Sequence, residues 1–171
     1  MRKVGMIGII LLGLFLLSFP AGAQNAVKIG TLDLSKAFDN YEKTKEYDTE
    51  LQGQSQAYQQ EREQRIEKMK ELQAKLALLK DDEKAKAEQE METMKEDLKN
   101  FMDSREIDLR KIQDERIREI LLDIEKVVND FAQKQGYQLI LNNRVLIYEE
   151  KGLDVTDKIL EILNQDYNKG Q

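Results

Sequence analysis

The chain has no cysteine, no histidine and no tryptophan, and its one proline is Pro20. Without cysteine there is no disulfide framework and no lipid-attachment residue of the bacterial lipoprotein kind. Without histidine, His-based triads, imidazole metal sites and the commonest general base near neutral pH are excluded. Catalysis would rest on carboxylates, lysine or tyrosine alone. Pairs such as Glu63 with Glu67, or Glu92 with Glu96, read as solvated helix faces, and no glycine-rich phosphate loop is present. No enzyme, metal or cofactor is expected.

Helix breakers are also scarce. Between Ser35 and Gln135 there is no proline and one glycine, Gly53, in a run dominated by Glu, Lys, Gln, Leu, Ala, Met and Arg. Globular helices average about 11 to 12 residues, so a helix-forming run of this length must be extended, folded back on itself, or both. Leu79 to Lys84 interrupts the apolar spacing, and Asp81 or Asp82 followed by Glu83 is a helix-start signal, with acids at the positive end of the dipole. A hairpin tip is therefore expected near residues 80–83. On the first arm Met69, Leu72, Leu76 and Leu79 alternate three- and four-residue steps, and Met91, Met94, Leu98 and Phe101 do so on the second. These are seams of the antiparallel coiled-coil type, with Leu72 facing Met91, Met69 facing Met94 and Ile66 facing Leu98. The second arm continues through Ile117, Ile120, Ile124, Val127 and Phe131. Between Phe101 and Ile117 the seam is expected to break, with Arg105 and Asp108 on seam positions and Leu109 and Ile112 displaced. The arms should bend there, close to Gly53.

The first residues carry Arg2 and Lys3, an apolar run from Val4 to Phe19, then Pro20-Ala21-Gly22-Ala23. Basic start, apolar stretch and small-residue site together describe a cleavable export signal over residues 1–23, cut after Ala23. The alternative is a retained anchor, because the run approaches the roughly 18 residues that would license one. Loss of Arg2 and Lys3 with the signal would take the formal charge from −6 to −8. So acidic a chain is not expected to bind nucleic acid through its overall field.

The ends of the mature chain carry β-type patterns. Val27 to Leu34 alternates and reads as a strand, after which Asp33 or Ser35 can cap the first helix. Gly136 suits the left-handed position that closes a helix. Tyr137-Gln138-Leu139-Ile140-Leu141 and Val145-Leu146-Ile147-Tyr148, joined by Asn142-Asn143-Arg144, read as an antiparallel strand hairpin. Asp154 or Thr156 can cap a short terminal helix lined by Ile159, Leu160 and Leu163. The organisation is thus a β-rich body from residues 24–45 and 128–171, with arms from 46–127. That body is too small to bury a good core alone, so it should associate, with Val27, Ile29, Leu139, Leu141, Val145 and Ile147 as oligomerisation candidates.

This order of elements resembles the Skp (OmpH-like) family of periplasmic chaperones. The resemblance is carried by Lys28-Ile29-Gly30-Thr31-Leu32-Asp33-Leu34-Ser35-Lys36-Ala37-Phe38 at one end. At the other it rests on Tyr137 to Leu141, Val145 to Tyr148 and Asp154 to Leu160. It implies an α+β fold in which three subunits join strands into a shared trimeric β-barrel and project long helical hairpins around a cavity. It also implies an ATP-independent holdase that keeps unfolded outer-membrane β-barrel proteins from aggregating in the periplasm before insertion. One departure matters. Basic members of the family have cationic arms suited to lipopolysaccharide or anionic phospholipid, whereas residues 60–100 here hold ten cations against twelve acids. That balance argues against direct lipopolysaccharide or membrane binding.

A holdase needs an adaptable apolar surface. Leu78, Phe101, Met102 and Ile107 lie beside the seam and are client-contact candidates. Met69, Met91 and Met94, unbranched and polarizable, are candidates as well, although their spacing also suits packing between the arms. The competing reading is an envelope coiled-coil adaptor or spacer, which should show one continuous, well-packed seam.

Overall fold

The computed structural model describes residues 27–170. The expected export signal lies outside them.

The chain enters through strand β1 (Ile29–Leu32) and helix α1 (Leu34–Asn40), capped by Asp33, whose Oδ1 accepts the Lys36 amide at 2.9 Å. A single extended residue, Tyr41 (φ −66°, ψ 128°), then separates α1 from α2 (Glu42–Leu76). The buried Tyr41 ring meets Tyr167 edge-on at 5.8 Å, and Asn164 Oδ1 accepts the freed Glu42 amide at 2.9 Å. This kink at the root of the first arm has no glycine or proline to announce it. Tertiary contacts impose it.

Residues 77–80 turn the chain, and α3 (Asp81–Gln135) returns unbroken, with Asp81, Asp82 and Glu83 already in its first turn. At about 1.5 Å per residue the outgoing arm reaches about 50 Å and the returning one about 80 Å. Cross-arm contacts run antiparallel: Arg65 lies over the Phe101 ring, Arg116 over Tyr47, and Lys43 against Asp123. Gly136 closes α3 at φ 73°, in the left-handed region.

Strand β2 (Leu139–Asn142) follows and pairs parallel with β1, Ile29 opposite Leu139 and Thr31 opposite Leu141. The whole helical hairpin is the crossover that a parallel pair requires. On its other edge β1 meets residues 153–155, with the Thr31 amide donating to Leu153 and the Val155 amide to Thr31. Gly30 has a packing reason: a Cβ there would lie 3.0 Å from the Tyr137 ring, which stacks on Phe131.

The antiparallel strand hairpin is not formed. The Asn142 side chain accepts the Arg144 amide at 3.2 Å, Asn143–Val145 makes a 3-10 turn, and Val145 to Tyr148 continues without a strand partner in the chain. This 3-10 turn, with Asn142 at φ −67° and no asparagine at positive φ among the described residues, is not the hairpin turn expected there. It redirects the chain instead of folding it back on β2.

Helix α4 (Thr156–Gly170) closes the body, burying Ile159 and Leu163 against Leu32, Ala37, Tyr41, Ile120, Ile124, Phe131 and Val155. Asp154 accepts both the amide (2.8 Å) and the hydroxyl of Thr156, and that hydroxyl in turn accepts the Asp33 amide at 2.8 Å. The start of α1 is thereby tied to the start of α4. This core sits at the junction of body and arms, so the distal arms rest on their own seam.

Candidate functional site

Along the arms, side chains sort by their place on the two helices. Met69, Leu72, Leu76, Met91, Met94 and Leu98 are all half-buried, turned toward the opposite arm. Phe101 is half-buried between the Tyr58 ring (5.6 Å) and the Arg65 guanidinium (4.3 Å), and Met102 beside it is half-buried too. Leu78, in the turn at the tip, is 85% exposed, and Ile107, on an outer face of α3, is 66% exposed. Ile107 and Leu122 flank a shallow trough of alternating charge, Glu106, Arg110, Asp114 and Arg118. The arms therefore present isolated apolar groups among charges that are balanced locally.

Where the seam was expected to break, Leu109 and Ile112 are half-buried and line a groove of about 200 Å³ with Gln54 and Tyr58. Asp108 and Arg105 border the same groove on exposed positions. The seam is continuous there but loosely filled. Helix α3 absorbs the change of phase without losing its hydrogen bonding.

The second apolar surface lies on the body. Of the residues singled out for association, Val27, Ile29, Leu139, Val145 and Ile147 are exposed and Leu141 is half-buried. Register brings Ile29 beside Leu139, while Val145 ends the 3-10 turn and Ile147 follows it on the extended segment, fully exposed. Tyr148 (82% exposed) belongs with them, and Leu121 and Leu122 add exposed apolar area to α3. The sequence signal for those two leucines was available: they sit directly after Ile120 but off the seam.

Sequence reasoning missed the charged cluster where the arms meet the body. Lys43 Nζ lies 2.7 Å from both Glu119 and Asp123, and the Tyr41 hydroxyl donates to Asp123 at 3.3 Å. Burial works against the Lys43 ammonium, but its hydrogen bonds to Asp123 and Glu119 prevail and raise its pKa. The hydrogen bond from Lys43 holds the Glu119 carboxyl below its ordinary range, against burial and with help from Tyr47 and Arg116. Burial chiefly, then the nearby Asp123 charge, pushes the Tyr41 hydroxyl up to about 12. Arg116 sits 4.0 Å from the Tyr47 ring centroid and pairs with Glu50 at 3.4 Å. No heptad pattern signals this cluster, because Glu119 and Asp123 flank the seam residues Ile120 and Ile124, and Lys43 meets them only where the Tyr41 kink starts α2.

Among the described residues no group of three or more acidic side chains is gathered to hold a metal ion, and no helix is long and apolar enough to cross a membrane.

The sequence model of the outer membrane protein (OmpH-like) family matches residues 28–163. The chaperone protein Skp of Photorhabdus luminescens is 24% identical over 149 residues, covering 85% of this chain and 90% of the relative. Skp of Pectobacterium atrosepticum is 26% identical over the same span and coverage. These relatives are named as chaperones, not enzymes. In three dimensions the chain is similar to a crystal structure described as an OmpH-like outer membrane chaperone from Caulobacter crescentus. The TM-score is 0.74 at 13% identity, over 97% of this chain and 92% of that one, a likeness of fold.

Proposed function

Because this chain belongs to the OmpH-like outer membrane protein family, whose Skp relatives are named chaperones, we propose that it is an ATP-independent periplasmic holdase. It binds unfolded outer-membrane β-barrel proteins in a cavity between helical arms and prevents their aggregation before insertion. It acts as a homotrimer built on the body, after export by the cleavable signal and cleavage behind Ala23. One observation carries the reading: two separate apolar surfaces are left uncovered in the single chain. The first, Ile29 with Leu139 and the strip Val145 to Tyr148, gathers on one small body. The outer edge of β2 and the unpartnered apolar segment that follows it call for pairing. The second, scattered singly along the arms at Leu78, Ile107 and Leu122, suits many weak contacts. Several arms around one client raise the effective concentration of each next contact, so capture is firm while every contact stays labile.

The continuous seam through Leu109 and Ile112 also fits an envelope spacer or adaptor. Crosslinking in the periplasm followed by pull-down separates the two. Many unrelated barrel proteins as partners support the holdase, and one dominant partner supports the adaptor. The assembly has its own test in light scattering. The wild-type protein should weigh as a trimer, and Ile147→Asp, which puts a charge on the exposed strip, should weigh less. A wild-type monomer removes both shared barrel and cage.

A further inference from the structure

We propose that Asn164 and Tyr167 on α4 are positioning residues for the arms: they fix the direction in which the hairpin leaves the body, and with it the span that the arms enclose. Helices α1 and α4 run side by side in the same direction. At their starts the Thr156 hydroxyl accepts the Asp33 amide at 2.8 Å, and Lys36 pairs with Asp157 at 2.7 Å. Helix α1 ends at Asn40, whereas α4 is 15 residues long and carries on past it. Its later turns therefore reach α2. Asn164 Oδ1 accepts the Glu42 amide at 2.9 Å, the Tyr167 hydroxyl donates to Glu46 at 2.5 Å, and the Tyr167 ring meets Tyr41 edge-on. Tied to α1 at one end and to α2 at the other, α4 splints the bend at Tyr41.

Local sequence does not hold that bend. Residues 34–52 contain neither proline nor glycine, and Tyr41 is the single extended residue between two helices. The first amides of a helix need acceptors outside it, which the side chain at the N-terminal capping position ordinarily supplies. Tyr41 occupies that position for α2, and its side chain makes no capping bond. The acceptor comes instead from Asn164, 122 residues away. The other tie at this level, Lys43 with Glu119 and Asp123, joins α2 to α3 and so holds the arms to each other, not to α1. Arms held at a fixed angle keep the effective concentration of each client contact high, and arms free to splay lower it. That consequence rests on the proposed function, whereas the angle itself does not.

Because the chain has no cysteine, Asp39→Cys with Gln60→Cys, both at exposed positions, places one spin-label pair across the bend. Labelled chain assembled with an excess of unlabelled chain reports the distance within one protomer by double electron–electron resonance. The otherwise wild-type protein should give one narrow distance. Asn164→Ala and Tyr167→Ala should each shift or broaden it, and Asn164→Asp, which keeps the acceptor, should restore it. Gly136→Ala, which strains the backbone away from the bend, should leave it unchanged. A thermal melt of each variant checks that it folds. An unfolded barrel client should leave the two alanine variants about 3- to 10-fold faster than the wild type, as the effective concentration of arm contacts falls. An unchanged distance in both alanine variants, or equal broadening by Asn164→Asp or Gly136→Ala, overturns the positioning role. An altered distance with unchanged client dissociation overturns its bearing on capture. The distances are read without client, so failure of the splint and failure of the holdase reading are separately visible.

Discussion

The ammonium of Lys43 lies 2.7 Å from the Asp123 carboxylate, with the lysine side chain only 13% exposed. With Glu119 as second partner, this ties the start of α2 to α3 where the arms leave the body. Lys43→Met keeps the apolar stem and leaves two carboxylates facing each other. Those carboxylates are 44% and 34% exposed, so water screens them. The expected cost is about 1–2 kcal/mol, below the roughly 3–5 of breaking a fully buried pair. Thermal unfolding at fixed protein concentration should show a fall of about 2–4 °C per kcal/mol.

Acid should loosen the same junction. The folded Glu119 carboxyl titrates below its ordinary 4.5, first because of the Lys43 hydrogen bond. A depressed carboxylate contributes stability above its unfolded pKa and loses it as pH falls through the folded value. Urea midpoints should therefore decline below about pH 4.5, and Glu119→Gln should flatten that decline. Alkali should loosen the junction as well, through other groups. Tyr41, raised from 10.0 to about 12, and Lys43, raised above 10.5, contribute fully below their unfolded values and lose that contribution as pH climbs past them.

Two glycines should respond with opposite sign. Gly136 sits at φ 73°, so Gly136→Ala meets no side chain but forces a left-handed alanine, costing about 1–2 kcal/mol. Gly53 lies inside α2 with nothing within 4 Å, so Gly53→Ala should stabilise by about 0.5–1 kcal/mol. Circular dichroism melts of the two variants should shift in opposite directions.

Phe101 and Ile107 separate arm packing from client contact. Phe101→Ala removes a half-buried ring from Tyr58 and Arg65 and should cost about 1–2 kcal/mol, seen as faster amide exchange in the distal arms. Ile107→Ser changes an exposed side chain and should leave stability within about 0.5 kcal/mol. It should instead weaken retention of an unfolded client, read as faster dissociation.

Much of this fold was legible because local chemistry and global packing agree. Asp33 caps α1, Asp81 and Asp82 open α3, Gly136 closes it, and the Met and Leu spacing on both arms predicts which face is turned inward. The failures are places where distant contacts decide. Val145 to Tyr148 has strand-like residues, yet β2 finds its partner in β1, across the whole hairpin. The Tyr41 kink answers to Tyr167 and Asn164 on α4, far away in sequence. Leu109 and Ile112 were read as displaced from a strict heptad, but α3 shifts phase and brings them into the seam. The candidate contact residues were legible as apolar positions beside a seam. Their exposure was not, because Phe101 and Ile107 look alike until Tyr58 and Arg65 cover one of them.

The central claim is that this chain holds unfolded outer-membrane barrels without nucleotide. Its most direct test dilutes a urea-unfolded barrel protein into buffer lacking ATP, with the purified chain at one trimer per client, and follows light scattering. Scattering should stay near baseline at that ratio and return as the chain is diluted away. Scattering that rises as fast and as far as for the barrel protein alone would contradict it.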